Sequence, residues 1–486
     1  MAIAGAAAIF ALCWAAYDPR VFIDGDTNWH VAAGRWILSH HTVPLTDPFS
    51  FTYAGKPWIA HEWLSEVLMA SAYLAAGWSG VVLLIGACAA LAMALLAREL
   101  RLWLGPFGQI VGLTLAFTCL QPFLYARPHI IATPLMIFWA TRLLAARRAG
   151  RAPPLELALL MIVWANLHAS FIFGLALIGP FAAEAFFAQP NKLRTAWAWG
   201  LFGAVATAFS LATPHGFAGL AFPFMVMGMK VLPSILEWHG QTFQDPTQFE
   251  VAVLATLFLG LWRGIRVPAF RLILLLGLLH MALQHVRQQA VLAALAPVIL
   301  AEPFGRAARP DWPGPRLAPA VGWTPNWRVP SWLIAAVIAG LVGLIVVARL
   351  AQPLVRHDNG NVPVTAVAHV PAALLGKPVF NEYAFGGYLI FKGVKPYVDG
   401  RADMYGDDFV QEYLAVAGGQ LPNVDNEFKR WNIAWAIVSP RDGLVGALSR
   451  RPGWIQIYSD PYAVVFARQD ALQPSIAPKA APGAAH

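Results

Sequence analysis

Charged residues are scarce in this sequence. Asp, Glu, Lys and Arg make up 12% of the 486 residues, whereas soluble domains carry about 25%. The charges are also clustered, which leaves apolar stretches of about 15–20 residues, long enough to cross a bilayer. Cysteine is scarce too: Cys13, Cys88 and Cys119 all lie within apolar stretches, so they cannot staple an extracytoplasmic domain. The composition therefore excludes an ordinary soluble protein and indicates a polytopic membrane protein.

The sequence has no basic groove interleaved with aromatic residues of the kind that binds nucleic acid. Its formal net charge is +8, but the basic residues stand at the ends of apolar segments, as topology signals do. We therefore expect the lipid bilayer, and no nucleic acid, among its partners.

Eleven apolar segments predict about eleven transmembrane helices. They lie near residues 2–17, 78–97, 107–124, 130–146, 155–167, 170–188, 196–213, 248–262, 268–283, 288–303 and 332–350. Alternate connections are rich in basic residues: Arg98 and Arg101; Arg142, Arg147, Arg148 and Arg151; Lys192 and Arg194; Arg263, Arg266 and Arg271; and Arg306, Arg309, Arg316 and Arg328. The positive-inside rule places these connections in the cytoplasm and the residues after 350 outside. This pattern predicts a multi-pass membrane protein with an extracytoplasmic C-terminal domain.

Two of these segments have alternative interpretations. Residues 155–188 could form one long kinked element, because Asn166 and His168 interrupt it. Residues 2–17 could be a cleaved signal peptide. We favour a retained helix, because the loop that follows is typical of an active-site loop attached to a first span.

Three regions are predicted. Residues 1–350 form the transmembrane domain, with a long first outer loop at 18–77; residues 351–469 form a small α/β domain; and 470–486, rich in Ala and Pro, form a disordered tail. In the α/β domain, strands are predicted at 377–383, 387–393, 395–401 and 434–440, helices at 407–419, 426–432 and 443–451, and a hairpin at 454–468.

The first outer loop carries the strongest candidates for chemistry. Asp24 and Asp26 flank a glycine, and His30 lies four residues beyond Asp26. An interfacial helix over 27–39 would turn Trp29, Trp36 and Ile37 toward lipid headgroups and put Asp26 and His30 one turn apart. Two close carboxylates bind a divalent cation, or one has a raised pKa and acts as a base. The alternative is that Asp26 caps the helix and Asp24 is solvated.

The same loop ends in "HEW", where His61 and Glu62 are neighbours. On a helix their side chains diverge by about 100 degrees. We expect one of them to face a substrate and the other to cap the helix or contact solvent.

Further candidates lie in the other outer connections. Arg127 and His129 stand beside a proline in "YARPHI", and Arg287 opens a span from the outside. A guanidinium group at either position could hold a phosphate; the alternative is an arginine that reaches lipid headgroups. His168 interrupts an apolar segment, which indicates either substrate binding or an interhelical hydrogen bond. Weaker candidates are His215, Glu237 and His239.

In the C-terminal domain, "DGRAD" places Asp399, Arg401 and Asp403 on one face of an extended segment. The functional interpretation is a substrate-contacting lid loop with Arg401 at its centre. The alternative is a structural salt-bridge network.

An acidic first outer loop, many spans and an extracytoplasmic C-terminal domain together resemble the GT-C superfamily of membrane glycosyltransferases. "DGDTNWHVAAGRWIL", followed by the stretch through "HEWL", looks distantly like the first outer loop of the oligosaccharyltransferase catalytic subunit. The chain also looks like bacterial polytopic membrane proteins that pair this loop with a terminal "NEY…GGYL…DGRAD" segment. It lacks the WWDYG-type signature of oligosaccharyltransferases, which argues against transfer to asparagine.

The resemblance implies an enzyme that moves a sugar from a polyprenyl-phosphate donor to a hydroxyl of a glycan, lipid or protein acceptor. Asp24 and Asp26 match the family's acidic residues, which serve as base, acceptor-binding group or metal ligands. Arg127 and Arg287 match its phosphate-binding arginines. Mg²⁺ or Mn²⁺ is therefore an expected cofactor, and His30, His61, Glu62, His129 and His168 are expected to contact substrate. A lipid or glycan transporter and a non-catalytic polysaccharide-assembly protein are the alternatives.

Overall fold

The computed structural model describes residues 2–234, 236–309 and 330–472. The chain forms two compact units. The membrane unit comprises the chain up to Leu45 and Ile59–Val355, and the C-terminal unit comprises Thr46–Trp58 and the chain from Arg356 onward. A segment of the first outer loop thus packs with the C-terminal unit, not with the helices on either side of it.

The membrane unit is helical. Its described α-helices are α1 (Ala2–Tyr17), α2 (Asp26–His40), α3 (Trp63–Trp103), α4 (Pro106–Leu120), α5 (Pro128–Arg148), α6 (Leu160–Leu167), α7 (Phe171–Ala188), α8 (Lys192–Ser210), α9 (Phe217–Met227), α10 (Gln248–Trp262), α11 (Ala269–Gln284), α12 (Gln289–Ala308) and α13 (Ser331–Ala351). Each of the eleven predicted segments coincides with a helix, and α9 is an apolar helix that we did not predict.

Five of the described helices are long and apolar enough to cross a bilayer. They are α3, α5, α7, α12 with the short turn before it, and α13. Other apolar helices, among them α1, α10 and α11, have 10–17 residues. The structure therefore confirms a multi-pass helical architecture, while the number of eleven spans remains a prediction.

Local backbone geometry explains two interruptions. Helix α3 kinks at Gly77, whose φ of 59° is a conformation that residues with a Cβ avoid. Between α6 and α7, His168 is extended with φ −169° and ψ 145°. Residues 155–188 are therefore two helical elements rather than one kinked helix.

One end of the helical bundle is held by a network of buried ion pairs. Arg271 donates to Glu184 at 2.8 Å and to Glu302 at 2.8 Å. Glu302 also accepts from Arg148 at 3.1 Å, and Arg148 contacts Glu99 at 2.7 Å. These residues join the ends of α3, α5, α7, α11 and α12. All the arginines belong to connections predicted to be cytoplasmic; Arg316 and Arg328 of that set lie outside the described residues.

At the other end, a polar residue precedes three of these helices. Glu62 precedes α3, Arg127 precedes α5 and His168 closes the turn before α7. Helix α5 has 21 residues, or about 32 Å at 1.5 Å per residue, which matches the thickness of a bilayer core. Helices α3, α5 and α7 therefore carry the ion-pair network at one end and Glu62, Arg127 or His168 at the other end.

The C-terminal unit is built on a four-stranded sheet. The strands β1 (Val379–Asn381), β2 (Trp435–Val438), β3 (Trp454–Ser459) and β4 (Val464–Arg468) have the order β1-β2-β4-β3. Strands β1 and β2 are parallel, and β4 is antiparallel to both β2 and β3. The helices are α14 (Val364–Ala368), α15 (Ala372–Leu375), α16 (Gly386–Phe391), α17 (Ala402–Ala417), α18 (Leu421–Arg430), α19 (Gly443–Ser449) and α20 (Gln469–Leu472).

Two predicted strands are wrong. Residues 386–391 form helix α16, in which Gly386 packs against the backbone of Val398 and Asp399 without room for a Cβ. Residues 395–401 are irregular because a side chain satisfies their backbone: Asn381 accepts from the Tyr397 amide and donates to the Val398 carbonyl, both at 2.8 Å. The described start of the predicted tail, 470–472, is helical, and the remainder of the tail lies outside the described residues.

A buried arginine joins segment 46–58 to the rest of the C-terminal unit. Arg401 contacts Asp399 at 2.7 Å and Asp47 at 2.8 Å, and its side chain is 1% exposed. Its guanidinium lies 5.3 Å from the ring centre of Phe49 and 4.7 Å from that of Trp58. Both carboxylates have further donors, since Tyr405 binds Asp399 and Ser50 binds Asp47.

We predict that Arg401→Met destabilises the C-terminal unit by about 3–5 kcal/mol, because it leaves two buried carboxylates without their cation. Hydrogen exchange of the purified protein, followed by mass spectrometry, should show lost protection in peptides covering 46–58 and 395–417. The matched control is Arg441→Met, since Arg441 is exposed. Unchanged exchange in both variants would contradict a structural role for Arg401.

Candidate active site

Helix α2 positions the first group of candidate residues by lying directly on α3. A Cβ at Gly34 would collide with the carbonyl oxygen of Glu66, so only glycine permits this approach. Trp29 and Ile37 are each 6% exposed, and Trp36 is partly buried. The expectation that Trp29 and Ile37 face lipid headgroups is therefore wrong, because packing inside the unit buries both.

Asp24 and Asp26 converge on the guanidinium of Arg127. Arg127 Nε lies 2.7 Å from Asp24 Oδ2, and a second guanidinium nitrogen donates to both Asp24 and Asp26. Asp24 Oδ1 also accepts from the Asp26 amide at 2.7 Å at the start of α2. Asp24 is therefore a local cap, and Asp26 is the carboxylate presented by the first helical turn.

Glu237 links this group to the second arginine. Its Oε2 lies 2.8 Å from Arg127 and its Oε1 lies 3.0 Å from Arg287. Arg287 also lies over Trp238, 4.6 Å from the ring centre. Four predicted residues, Asp24, Asp26, Arg127 and Arg287, are thus brought together around Glu237. We call these five residues the arginine cluster.

In this cluster the pKa of Asp26 is raised and the pKa of Glu237 is lowered. Burial raises the pKa of Asp26 to about 7; Arg127 opposes the shift, and the negative charges of Asp24 and Glu237 add to it. Burial would also raise the pKa of Glu237, but Arg127 and Arg287 outweigh it and hold the pKa at about 2. Asp26 can therefore exchange a proton near neutral pH, whereas Glu237 remains ionised.

A second group is centred on Glu62, directly before α3. Glu62 Oε1 lies 3.3 Å from His168 Nε2 and 3.5 Å from His61 Nε2, and its other oxygen lies 3.8 Å from His30 Nε2. His61 and Glu62 converge rather than diverge, because the helix begins only at Trp63. The expectation that their side chains diverge is therefore wrong, and which of them faces a substrate stays a prediction. We call His30, His61, Glu62 and His168 the imidazole cluster.

Helix α2 joins the two clusters, since Asp26 and His30 stand one turn apart on it. His30 is 2% exposed, and its Nδ1 lies 3.4 Å from Glu66 Oε1. Burial lowers the pKa of His30 to about 3. It would raise that of Glu62, but the neighbouring imidazoles outweigh burial and lower it. A carboxylate among imidazole rings supplies both acceptors and donors of hydrogen bonds.

His129 lies beside the imidazole cluster. Its ring centre is 6.2 Å from that of His168, and its Nε2 lies 3.0 Å from the carbonyl oxygen of Phe123. One ring nitrogen is thus engaged by the backbone. The role of His129 in substrate binding stays a prediction.

Arg401 is not available to bind substrate in this conformation. It belongs to the C-terminal unit, and Asp47 and Asp399 engage its guanidinium. The salt-bridge alternative describes it better than the lid interpretation. Sequence spacing linked Arg401 to Asp399, but nothing local indicated Asp47, which lies 354 residues away.

The donor groups do not fit a metal ion at Asp24 and Asp26. The Arg127 guanidinium lies between the two carboxylates, where a cation would have to bind. In the described part of the chain, no group of three or more His, Cys, Asp or Glu side chains could hold a metal ion. Dependence on Mg²⁺ or Mn²⁺ remains a prediction.

Two participants were underestimated from the sequence. Glu66 follows Glu62 by one helical turn, and that spacing was a usable signal. Glu237 was a weaker candidate, because "LEWHGQ" has no recognisable motif. Only the fold brings Glu237 to arginines 110 and 50 residues away along the chain.

The architecture is similar to that of a solved membrane protein. The crystal structure of ArnT from Cupriavidus metallidurans bound to undecaprenyl phosphate matches with a TM-score of 0.52 and 14% identity, over 97% of this chain and 98% of that one. The archaeal oligosaccharyltransferase AglB from Archaeoglobus fulgidus, in complex with an inhibitory peptide and a dolichol-phosphate, matches with a TM-score of 0.41 and 13% identity. The match to AglB covers 97% of this chain and 74% of the AglB chain. Neither a protein-family model nor a curated protein sequence matches the chain.

The match to ArnT extends over nearly the whole of both chains, and at 14% identity it is informative about the fold alone. The expected fold is thereby confirmed to this extent: the chain has a fold similar to that of ArnT.

Proposed function

We propose that this protein is a membrane glycosyltransferase that moves a sugar from a polyprenyl-phosphate donor to an acceptor hydroxyl. The observation that carries the proposal is the arginine cluster, in which Asp26 pairs with Arg127 and Glu237 joins Arg127 to Arg287. The fold supports it, because the similar ArnT structure is bound to undecaprenyl phosphate.

Asp26 is the general base in this proposal. The acceptor oxygen attacks the anomeric carbon, the bond from that carbon to the phosphate oxygen breaks, and the acceptor proton passes to Asp26. Its pKa of about 7 suits a base that works near neutral pH. Asp24 accepts a hydrogen bond from the Asp26 amide and contacts Arg127, so it fixes the positions of both residues.

Arg127 and Arg287 bind the donor phosphate and stabilise the charge that develops as it departs. Guanidinium groups suit this task, because their parallel N–H donors match phosphate oxygens. Placed in a partly buried environment, they act without reorganisation at the moment of reaction. The leaving product is the polyprenyl phosphate.

The imidazole cluster, with His129 beside it, contacts hydroxyl groups of the sugar or acceptor. Its imidazole rings and one carboxylate offer the mixed donors and acceptors that hydroxyl groups need. The acceptor is a hydroxyl of a glycan, lipid or protein.

The reaction takes place on the extracytoplasmic side of a bacterial inner membrane. This location is supported by the positions of the two polar groups. The arginine cluster lies at the helix ends opposite the buried ion-pair network, whose arginines belong to connections predicted to be cytoplasmic. The residues after α13 are then periplasmic.

We predict that Asp26→Asn lowers turnover of polyprenyl-phosphate sugars by about 10²–10⁴-fold, the contribution of a general base. The measurement is consumption of each donor in a panel by purified protein in detergent. The control is Asp245→Asn, which removes a carboxylate from the exposed connection between α9 and α10. Wild-type turnover by Asp26→Asn would exclude Asp26 as the base.

The pKa of Asp26 also predicts the pH dependence. The base works in its ionised form, so kcat/KM should fall about tenfold per pH unit below a midpoint of about 7 and level off above it. The comparison is the residual activity of Asp26→Asn, which should lack this limb. A wild-type profile that is flat between pH 5 and 8 would contradict the assignment.

A further inference from the structure

Glu237 holds both arginines to which we assign the donor phosphate. One of its carboxylate oxygens lies 2.8 Å from Arg127, and the other lies 3.0 Å from Arg287. Two oxygens of one anion bridging two guanidinium groups is also the contact that a phosphate would make there. A carboxylate and a phosphate cannot occupy this position together.

The charge of the cluster leads to the same conclusion. Three carboxylates, Asp24, Asp26 and Glu237, surround two guanidinium groups. Their formal sum is negative when all are ionised and zero when Asp26 is protonated. A bound phosphate would add at least one more negative charge to a partly buried site, where like charges repel strongly. One carboxylate must therefore give up its arginines when a phosphate binds.

The structure favours Glu237 as the carboxylate that leaves. Asp24 caps the first turn of α2 through the Asp26 amide, and Asp26 belongs to that turn, so both are fixed by a helix. Glu237 instead lies in a three-residue 3₁₀ turn between α9 and α10. Its side chain is 26% exposed, against 14% for Asp24 and 18% for Asp26.

We infer that Glu237 is an internal competitor for the phosphate site: it pairs with Arg127 and Arg287 in this structure and is displaced when the phosphate of the lipid binds. The inference rests on the proposed function for the identity of the ligand. It assigns Glu237 a role beyond catalysis, because its return to the arginines after transfer would promote release of the polyprenyl phosphate.

The test is binding of undecaprenyl phosphate to the purified, detergent-solubilised protein. Glu237→Gln keeps the size of the side chain and removes its charge, so we expect binding about 3–10-fold tighter than in the wild type. Glu237→Asp keeps the charge but shortens the bridge, and its affinity should lie between the two. Arg287→Gln should bind more weakly than the wild type, because the phosphate loses a contact.

Two further ligands separate the phosphate from the lipid. Undecaprenol, which has no phosphate, should bind equally to wild type and Glu237→Gln. Inorganic phosphate should compete with undecaprenyl phosphate more effectively in Glu237→Gln. Asp245→Asn is the matched control, since it removes one negative charge from the same connection, and it should bind undecaprenyl phosphate like the wild type.

The outcomes distinguish the inference from the function on which it rests. If the wild type binds undecaprenyl phosphate, but Glu237→Gln binds it equally or more weakly, Glu237 is structural and the inference is overturned. If neither binds it, both the inference and the proposed function fail. A gain shared by Asp245→Asn would reflect general charge rather than competition, and would also overturn the inference.

Discussion

The candidate site depends on one interaction, the pairing of Arg127 with the carboxylates of Asp24, Asp26 and Glu237. This guanidinium joins the start of α5 to the start of α2 and to the connection before α10. Partly buried carboxylates at this density repel one another unless a cation lies among them. Burial and the negative charges of Asp24 and Glu237 raise the pKa of Asp26 to about 7 against the opposing charge of Arg127.

The polar groups at the two ends of the bundle differ in their contacts. One end holds Arg148, Arg271, Glu99, Glu184 and Glu302 in a network that joins five helices. The other end holds the arginine cluster and the imidazole cluster, which include the partly exposed Asp26 with its raised pKa and Glu237 with its lowered pKa. A transporter would be expected to carry charged groups in the middle of its spans. Here the charges named above gather at helix ends, which favours chemistry at one surface over passage through the bundle.

Much of this arrangement could be predicted from the sequence, because loop chemistry and helix periodicity are local signals. Asp26 and His30 were placed on one helical face by spacing alone, and Arg127 and Arg287 were singled out by their positions at span ends. Contacts between distant segments gave no such signal. Glu237 reaches its arginines, and Asp47 reaches Arg401, only through the fold. The sequence of residues 395–401 resembles a strand, but in the structure the Asn381 side chain makes the backbone hydrogen bonds that a neighbouring strand would make.

We propose that a lipid-linked phosphate binds at the arginine cluster. A cryo-electron microscopy structure of the protein with undecaprenyl phosphate would locate that phosphate. We expect phosphate density within hydrogen-bonding distance of both Arg127 and Arg287, with the Glu237 carboxylate moved away from them. Phosphate density elsewhere in the protein, with Glu237 still bridging the two arginines, would contradict it.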